Sequence, residues 1–175
     1  MDTDITIAYL GLGSNLGDRA GNLLLAVRSL MEASFVVDKL SAIYETEPLE
    51  IESDTTFLNM VAEIHVRQVS VTQMMARLLR IEYLLGRGDK SVKKPRTVDL
   101  DILFFGDQVV DNELVTVPHP RIQLRKFVLC PLNEIAPHFV HPTLKTSIID
   151  LLERCEDTSE VKRWDPNYSV PPEAM

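Results

Sequence analysis

The amino-acid sequence predicts an α+β domain built in the order strand, helix, strand, strand, helix, strand. Three observations carry this: apolar runs of strand length, two apolar stripes at helical spacing between them, and turn residues wherever one pattern gives way to the next. That order is the split β-α-β arrangement of ferredoxin-like folds, here a mostly antiparallel sheet with helices on both faces. A chain of 175 residues suits a single domain that buries a core without disulfides or a structural metal.

The elements follow in turn. Ile5 to Leu12 reads as the first strand and leads into Gly11-Leu12-Gly13-Ser14-Asn15-Leu16-Gly17-Asp18, a strand-to-helix turn. Asp18 caps the first helix, whose Leu23, Ala26, Val27 and Leu30 form its apolar stripe. Glycines before a helix invite a phosphate-loop reading. No Gly-Lys-Ser or Gly-Lys-Thr follows, however, and the spacing misses the dinucleotide fingerprint, so the turn reads as mainly structural. Phe35 to Glu45 and Phe57 to Val66 read as strands, and the polar stretch from Thr46 to Thr56 is long for a hairpin and marks a functional loop. Val71 to Leu85 is the second helix, with Met74, Met75, Leu78, Leu79, Ile81 and Leu85 as its core stripe and Gly86 as its C-cap. After the next strand, Gly106-Asp107 turns, Val109-Val110 and Leu114-Val115 suggest a short hairpin, and Val117-Pro118-His119-Pro120 stops it. Helical patterns cover 125–135 and 147–154. Beyond Cys155 the chain becomes polar, with Trp164 as an anchor, which divides it into a domain over 1–155 and a tail over 156–175.

Composition excludes several classes. Apolar runs are too short to span a bilayer, and the acidic start Met1-Asp2-Thr3-Asp4 lacks the signature of a secretory signal, so a cytoplasmic location is expected. Cys130 and Cys155 are too few and too far apart for a zinc site and read as idle or buried thiols. A formal net charge of -8 argues against a protein that grips long nucleic acid. The acidity is uneven. From Arg87 to Arg96, Arg87, Lys90, Lys93, Lys94 and Arg96 face the single acid Asp89, a basic patch suited to a small polyanion or simply a solvated loop.

Directly after that patch comes Thr97-Val98-Asp99-Leu100-Asp101-Ile102-Leu103-Phe104-Phe105. As a strand it turns Val98, Leu100, Ile102 and Phe104 to one face and Asp99 and Asp101 to the other. Two carboxylates spaced roughly 6.5 to 7 Å along a strand can hold one or two hard cations, with magnesium and a nucleotide's phosphates the natural pair. Arg96 strengthens that reading because a guanidinium grips phosphate oxygens with a planar fork of donors. The plainer alternative is the solvated face of an edge strand.

Taken together, these motifs resemble the 6-hydroxymethyl-7,8-dihydropterin pyrophosphokinase family. The likeness runs over roughly residues 5 to 155. It covers Gly-Leu-Gly-Ser-Asn-Leu, Tyr44-Glu45-Thr46-Glu47-Pro48-Leu49, Phe57-Leu58-Asn59 and Pro-Arg-Thr-Val-Asp-Leu-Asp-Ile-Leu-Phe-Phe-Gly. It continues through Val-Pro-His-Pro-Arg, Arg125-Lys126-Phe127-Val128-Leu129 and Pro131-Leu132-x-Glu134-Ile135-Ala136-Pro137. The resemblance implies that Asp99 and Asp101 hold two magnesium ions and that Glu82, Arg87, Arg96, Thr116, His119 and Arg125 serve ATP, with Arg87 and Arg96 in the catalytic set. It places the pterin between the rings of Phe57 and Phe127, with Asn59 at its edge and Thr46, Pro48 and Leu49 lining the slot. Glu82 also fits a surface carboxylate paired with Arg87. Two departures stand out. Lys93 and Lys94 precede Pro95-Arg96 where an aromatic residue and glycine are common, and Asp89 or Lys90 falls where a second arginine is expected. Glu47 stands where proline is frequent.

The implied reaction moves pyrophosphate from ATP to the pterin alcohol and releases AMP, a step of folate biosynthesis, in a monomer or weak oligomer with no nucleic-acid or membrane partner. Rival readings are another magnesium-dependent nucleotide enzyme, such as a γ-phosphoryl kinase or nucleotidyltransferase, and a non-catalytic ferredoxin-like module that binds RNA.

Overall fold

The computed structural model describes residues 4–47, 56–86 and 97–166. Its strands are β1 (Ile5–Ser14), β2 (Val36–Leu40), β3 (Tyr44–Thr46), β4 (Phe57–Arg67), β5 (Asp99–Phe105), β6 (Val110–Asp111), β7 (Thr116–Val117) and β8 (Val161–Arg163). Its helices are α1 (Arg19–Glu32), α2 (Val71–Leu84), α3 (Lys126–Ile135) and α4 (Ile148–Arg154). The main sheet runs β5-β1-β4-β3-β8, with β2 also paired to β4, and every pairing in it is antiparallel. This is the ferredoxin-like arrangement expected, with β6 and β7 as a separate small ribbon.

Two apolar layers hold the sheet. On one face Leu23, Ala26, Val27 and Leu30 of α1 and Val71, Met74, Leu78 and Ile81 of α2 pack on Leu10, Leu12, Met60, Ala62 and Ile64. On the other, Leu129 and Leu132 of α3 and Ile148 and Leu151 of α4 pack on Tyr9, Val61, Leu103 and Phe104. The helix ends obey local chemistry. Asp18 accepts the Gly21 N–H at 3.0 Å, Ser70 and Gln73 form a reciprocal capping box, and Gly86, at φ 92°, takes the left-handed position just after α2.

Several expectations need correction. The first strand continues past Leu12 to Ser14. The single strand expected over Phe35 to Glu45 is two, because side chains take over the ladder between them. The Ser41 hydroxyl accepts the Val61 N–H at 2.9 Å, and Glu134 of α3 accepts the Ala42 N–H at 2.8 Å. The small hairpin closes one to two residues later than expected. Asn112 Oδ1 accepts the N–H groups of both Leu114 and Val115 at 2.9 Å, so the turn consumes those residues. Beyond Cys155 the chain is not only a polar tail. Val161–Arg163 pairs with β3, and the Trp164 N–H donates to the Ile43 carbonyl at 2.8 Å while its side chain packs on the core.

The most consequential correction lies in β5. Leu100 and Ile102 share the α1/α2 face as expected, but Phe104 lies on the α3/α4 face with Leu103. The register against β1 jumps from Ile102↔Leu10 to Phe104↔Tyr9, so Leu103 is an extra residue in a β-bulge, and the inserted residue reverses the alternation beyond it.

Candidate active site

A cavity of about 210 Å³ opens on the α3 side of the sheet. Its floor is β1, where Gly11 and Gly13 sit in register with Asp101 and Asp99 of β5 on one side and with Val61 and Asn59 of β4 on the other. The glycines thus form the base between the acidic strand and the amide strand. A Cβ at Gly13 would stand 3.0 Å from Asn59 Oδ1, so a larger residue there displaces the amide. Gly11-Leu12-Gly13 is therefore strand and part of the cavity rather than only a link to α1. A residue pattern shows glycines but not which strands flank them.

Asp99 and Asp101, both half-buried, line the cavity from β5, as strand alternation predicted. β5 is an edge strand of the sheet, and two groups from outside it take up its outer backbone positions. The buried Glu82 of α2 accepts the Leu100 N–H at 2.9 Å, and the His119 N–H donates to the Leu103 carbonyl at 2.9 Å. Glu82 is only 2 % exposed and does not line the cavity, which corrects the reading of a surface carboxylate. It acts on the backbone between the two aspartates.

His119, Arg121 and Arg125 line the same end of the site. The His119 Nδ1 accepts the Arg121 N–H at 3.2 Å. Arg125 precedes α3, and its guanidinium lies 5.6 Å from the centre of the Phe127 ring, a cation–π approach that joins the charged end to the aromatic end. Phe57 and Phe127 both line the cavity, with Asn59 and Thr46 beside them. Asn59 Nδ2 donates to Thr46 Oγ1 at 3.1 Å, which fixes the amide with its oxygen toward Gly13. Phe57 and Phe127 are thus wall residues and not interior core.

Not every residue expected at the site is there. Thr116 is exposed on β7, its hydroxyl donates to Asp111 at 3.0 Å, and it does not line the cavity. A two-residue ribbon turns it away from the site. Pro48, Leu49, Arg87 and Arg96, with Lys90, Lys93 and Lys94, lie outside the described residues. Gly13, Glu47 and Arg121 also line the cavity, positions to which the sequence assigned no site role; Arg121 closes the Val-Pro-His-Pro-Arg motif, and Glu47 lies in the Tyr-Glu-Thr-Glu motif. Cys130 and Cys155 are both half-buried outside the cavity, and burial pushes the Cys130 thiol up from its ordinary value.

Fold and site together define an α+β enzyme of ferredoxin-like build, with a carboxylate pair and basic groups at one end of a cleft and an aromatic–amide slot at the other. The chain belongs to the 7,8-dihydro-6-hydroxymethylpterin-pyrophosphokinase family, whose model matches residues 9–137. It is 45% identical over 130 residues to the 2-amino-4-hydroxy-6-hydroxymethyldihydropteridine pyrophosphokinase of Bacillus subtilis, covering 74% of this chain and 77% of that protein. The Aquifex aeolicus protein of the same name is 36% identical over 134 residues, covering 77% of this chain and 82% of its own length. The folic acid synthesis protein fol1 of Pneumocystis carinii is 36% identical over 154 residues, but this chain spans 21% of it. A crystal structure of wild-type Plasmodium falciparum HPPK-DHPS shares the fold at a TM-score of 0.67 and 17% identity, covering 87% of this chain and 45% of that one. Among the described residues, no helix is long and apolar enough to cross a membrane.

Proposed function

We infer that the chain transfers pyrophosphate from ATP to 6-hydroxymethyl-7,8-dihydropterin, giving the pterin diphosphate and AMP in folate biosynthesis. Family membership supports the reaction. The observation that carries its placement is the single cavity that joins Asp99, Asp101, His119 and Arg125 to Phe57, Asn59 and Phe127. Soluble co-substrates suit a cytoplasmic enzyme, monomeric or weakly associating.

The donor set fits magnesium. Asp99 and Asp101 offer hard carboxylate oxygens on one strand face, both directed to the cavity, which is the ligand chemistry this ion takes alongside nucleotide phosphates. Asp99 and Asp101 would hold the ions, which would supply neutralisation of phosphate charge. The chain's own groups do the rest. Phe57 and Phe127 hold the flat pterin between their rings, and Asn59, with its amide fixed by Thr46, reads the ring's polar edge. His119 and Arg125 bind phosphate oxygens, with Arg87 and Arg96 of the basic segment assigned to the same task. The hydroxymethyl oxygen then forms a bond to the β-phosphorus as the bridging bond to the α-phosphate breaks. AMP leaves with the bridging oxygen, and the hydroxyl proton passes to solvent. Orientation and electrostatics supply most of the rate. Glu82 serves as a positioning residue, because its carboxylate accepts the Leu100 N–H between the two aspartates.

The test is to incubate the protein with ATP, magnesium and the reduced hydroxymethylpterin and identify the nucleotide released. AMP formed in step with pterin diphosphate is the expected result. ADP would assign a γ-phosphoryl kinase, and no nucleotide product with authentic substrate would overturn the reading.

A further inference from the structure

We propose that Arg121 is a catalytic residue of this reaction, a second guanidinium that binds the triphosphate beside Arg125. The proposal rests on reading the cavity as the ATP and pterin site. Arg121 lines that cavity with Asp99, Asp101, His119 and Arg125, and its position is built rather than incidental. The His119 N–H ties the preceding residues to the Leu103 carbonyl at the edge of β5, at 2.9 Å. The Arg121 N–H then donates to His119 Nδ1, and the Arg121 carbonyl accepts the Leu124 N–H at 3.0 Å, closing a turn whose Ile122 is fully buried. The backbone is therefore held on both sides of Arg121 while its side chain reaches the exposed mouth of the site.

Charge explains why a second guanidinium is useful there. The triphosphate enters a cavity that already carries the carboxylates of Asp99 and Asp101, and the Arg125 guanidinium is shared with the ring of Phe127. A planar fork of donors is well matched to phosphate oxygens, including the bridging oxygen that gains charge as AMP leaves. The same backbone bond sets the role of His119. Because Nδ1 accepts the Arg121 N–H, it carries no proton, and the neutral ring holds its proton on Nε2. This short stretch thus presents donors only, His119 Nε2–H and two guanidiniums, to a group that only accepts. His119 in that state cannot take the hydroxyl proton through Nε2.

The full chain is titrated with the magnesium complex of α,β-methylene-ATP, which binds but cannot be cleaved at the bond that breaks. Arg121→Ala leaves the backbone N–H to His119 in place. It is expected to weaken the analogue and lower kcat/KM for ATP by about tenfold or more, with adenosine affinity and melting temperature unchanged. Arg121→Lys recovers part of the loss and Arg121→Gln none. Analogue affinity within about twofold of wild type in Arg121→Ala, or equal behaviour of the Lys and Gln variants, overturns the proposal. Arg125→Ala separates the two levels: if it weakens the analogue while Arg121→Ala does not, only the role of Arg121 fails. If neither matters, the reading of this end as the phosphate site fails.

Discussion

The two ends of the cavity are made differently. Among the described residues, its charged end comes from one stretch of chain, Asp99 to Arg125, where β5 and the turn before α3 lie against each other at the sheet edge. Its aromatic end is assembled from β3, β4 and α3, so Thr46, Phe57, Asn59 and Phe127 meet only when the sheet is formed and α3 is laid on it. The difference teaches where information about a site resides. Charges in an apolar strand are conspicuous because burying them is costly, whereas a wall phenylalanine has the same sequence signature as a core one.

If the charged end performs the chemistry and the aromatic end binds substrate, substitutions at the two should fail differently. The largest effect is expected from Asp101→Ala. It should slow AMP release on the order of 10²–10³-fold while the melting temperature changes little, since the half-buried side chain faces the cavity rather than a core layer. Transfer at the wild-type rate with saturating magnesium and ATP would remove the distinction altogether.

At the other end, Asn59→Ala should raise the KM for the pterin by about five- to hundredfold, as expected for one lost buried hydrogen-bonding group, with the KM for ATP little changed. Gly13→Ala is a milder probe of the same feature. Its Cβ would crowd Asn59 Oδ1 at 3.0 Å and shift the amide by a few tenths of an ångström, so the pterin KM should rise, but less than in Asn59→Ala. Equal effects on both substrates' KM values would show that the ends are not separable.

Glu82→Ala tests the support beneath the charged end. It leaves the Leu100 N–H of an edge strand without its buried acceptor, a loss of about 1–3 kcal/mol. A chain of this size should then melt about 2–4 °C lower per kcal/mol, with a weaker response to magnesium. An unchanged melting curve would show that β5 holds the aspartates without help from α2.

The smallest effect is expected at the rear of the aromatic end. Tyr44 lies opposite Asn59 across the β3–β4 ladder, and its hydroxyl donates to Glu134 of α3 at 2.7 Å. Burial first, and then the Glu134 carboxylate, push the Tyr44 phenol above its ordinary 10.0. The folded state therefore favours the neutral phenol. Its contribution is fully present below pH 10 and is lost as pH rises through the folded value. Urea midpoints should fall above pH 10, and Tyr44→Phe should flatten that fall; an identical alkaline slope in the variant would show that another group carries it.

Much of this was legible in the residues. The alternating Asp99-Leu100-Asp101 pattern implied two carboxylates on one face, and both line the cavity. The periodicity of α1 named its buried face correctly, and that of α2 named Met74, Leu78 and Ile81, but Leu79 is only half-buried and Val71 and Glu82, outside the expected stripe, are buried. Other features were not legible for identifiable reasons. The Leu103 bulge depends on register against β1, and nothing local in Leu-Phe-Phe announces an inserted residue. β8 is a three-residue edge strand whose pattern is too short to stand out from a polar tail. The division between β2 and β3 is made by the Ser41 hydroxyl and by Glu134, the latter far away in sequence.

The sequence by itself determined the α+β order of elements, the acidic strand, and the family to which the motifs belong, because periodicity and charge are properties of neighbouring residues. Only the tertiary structure decided that Gly13 stands between Asp99 and Asn59, that Glu82 supports the acidic strand from behind, and that Arg121 reaches the cavity while Thr116 does not. Those facts depend on strand register and on how a turn is pinned to a sheet edge, which are set by contacts between segments that the chain keeps apart.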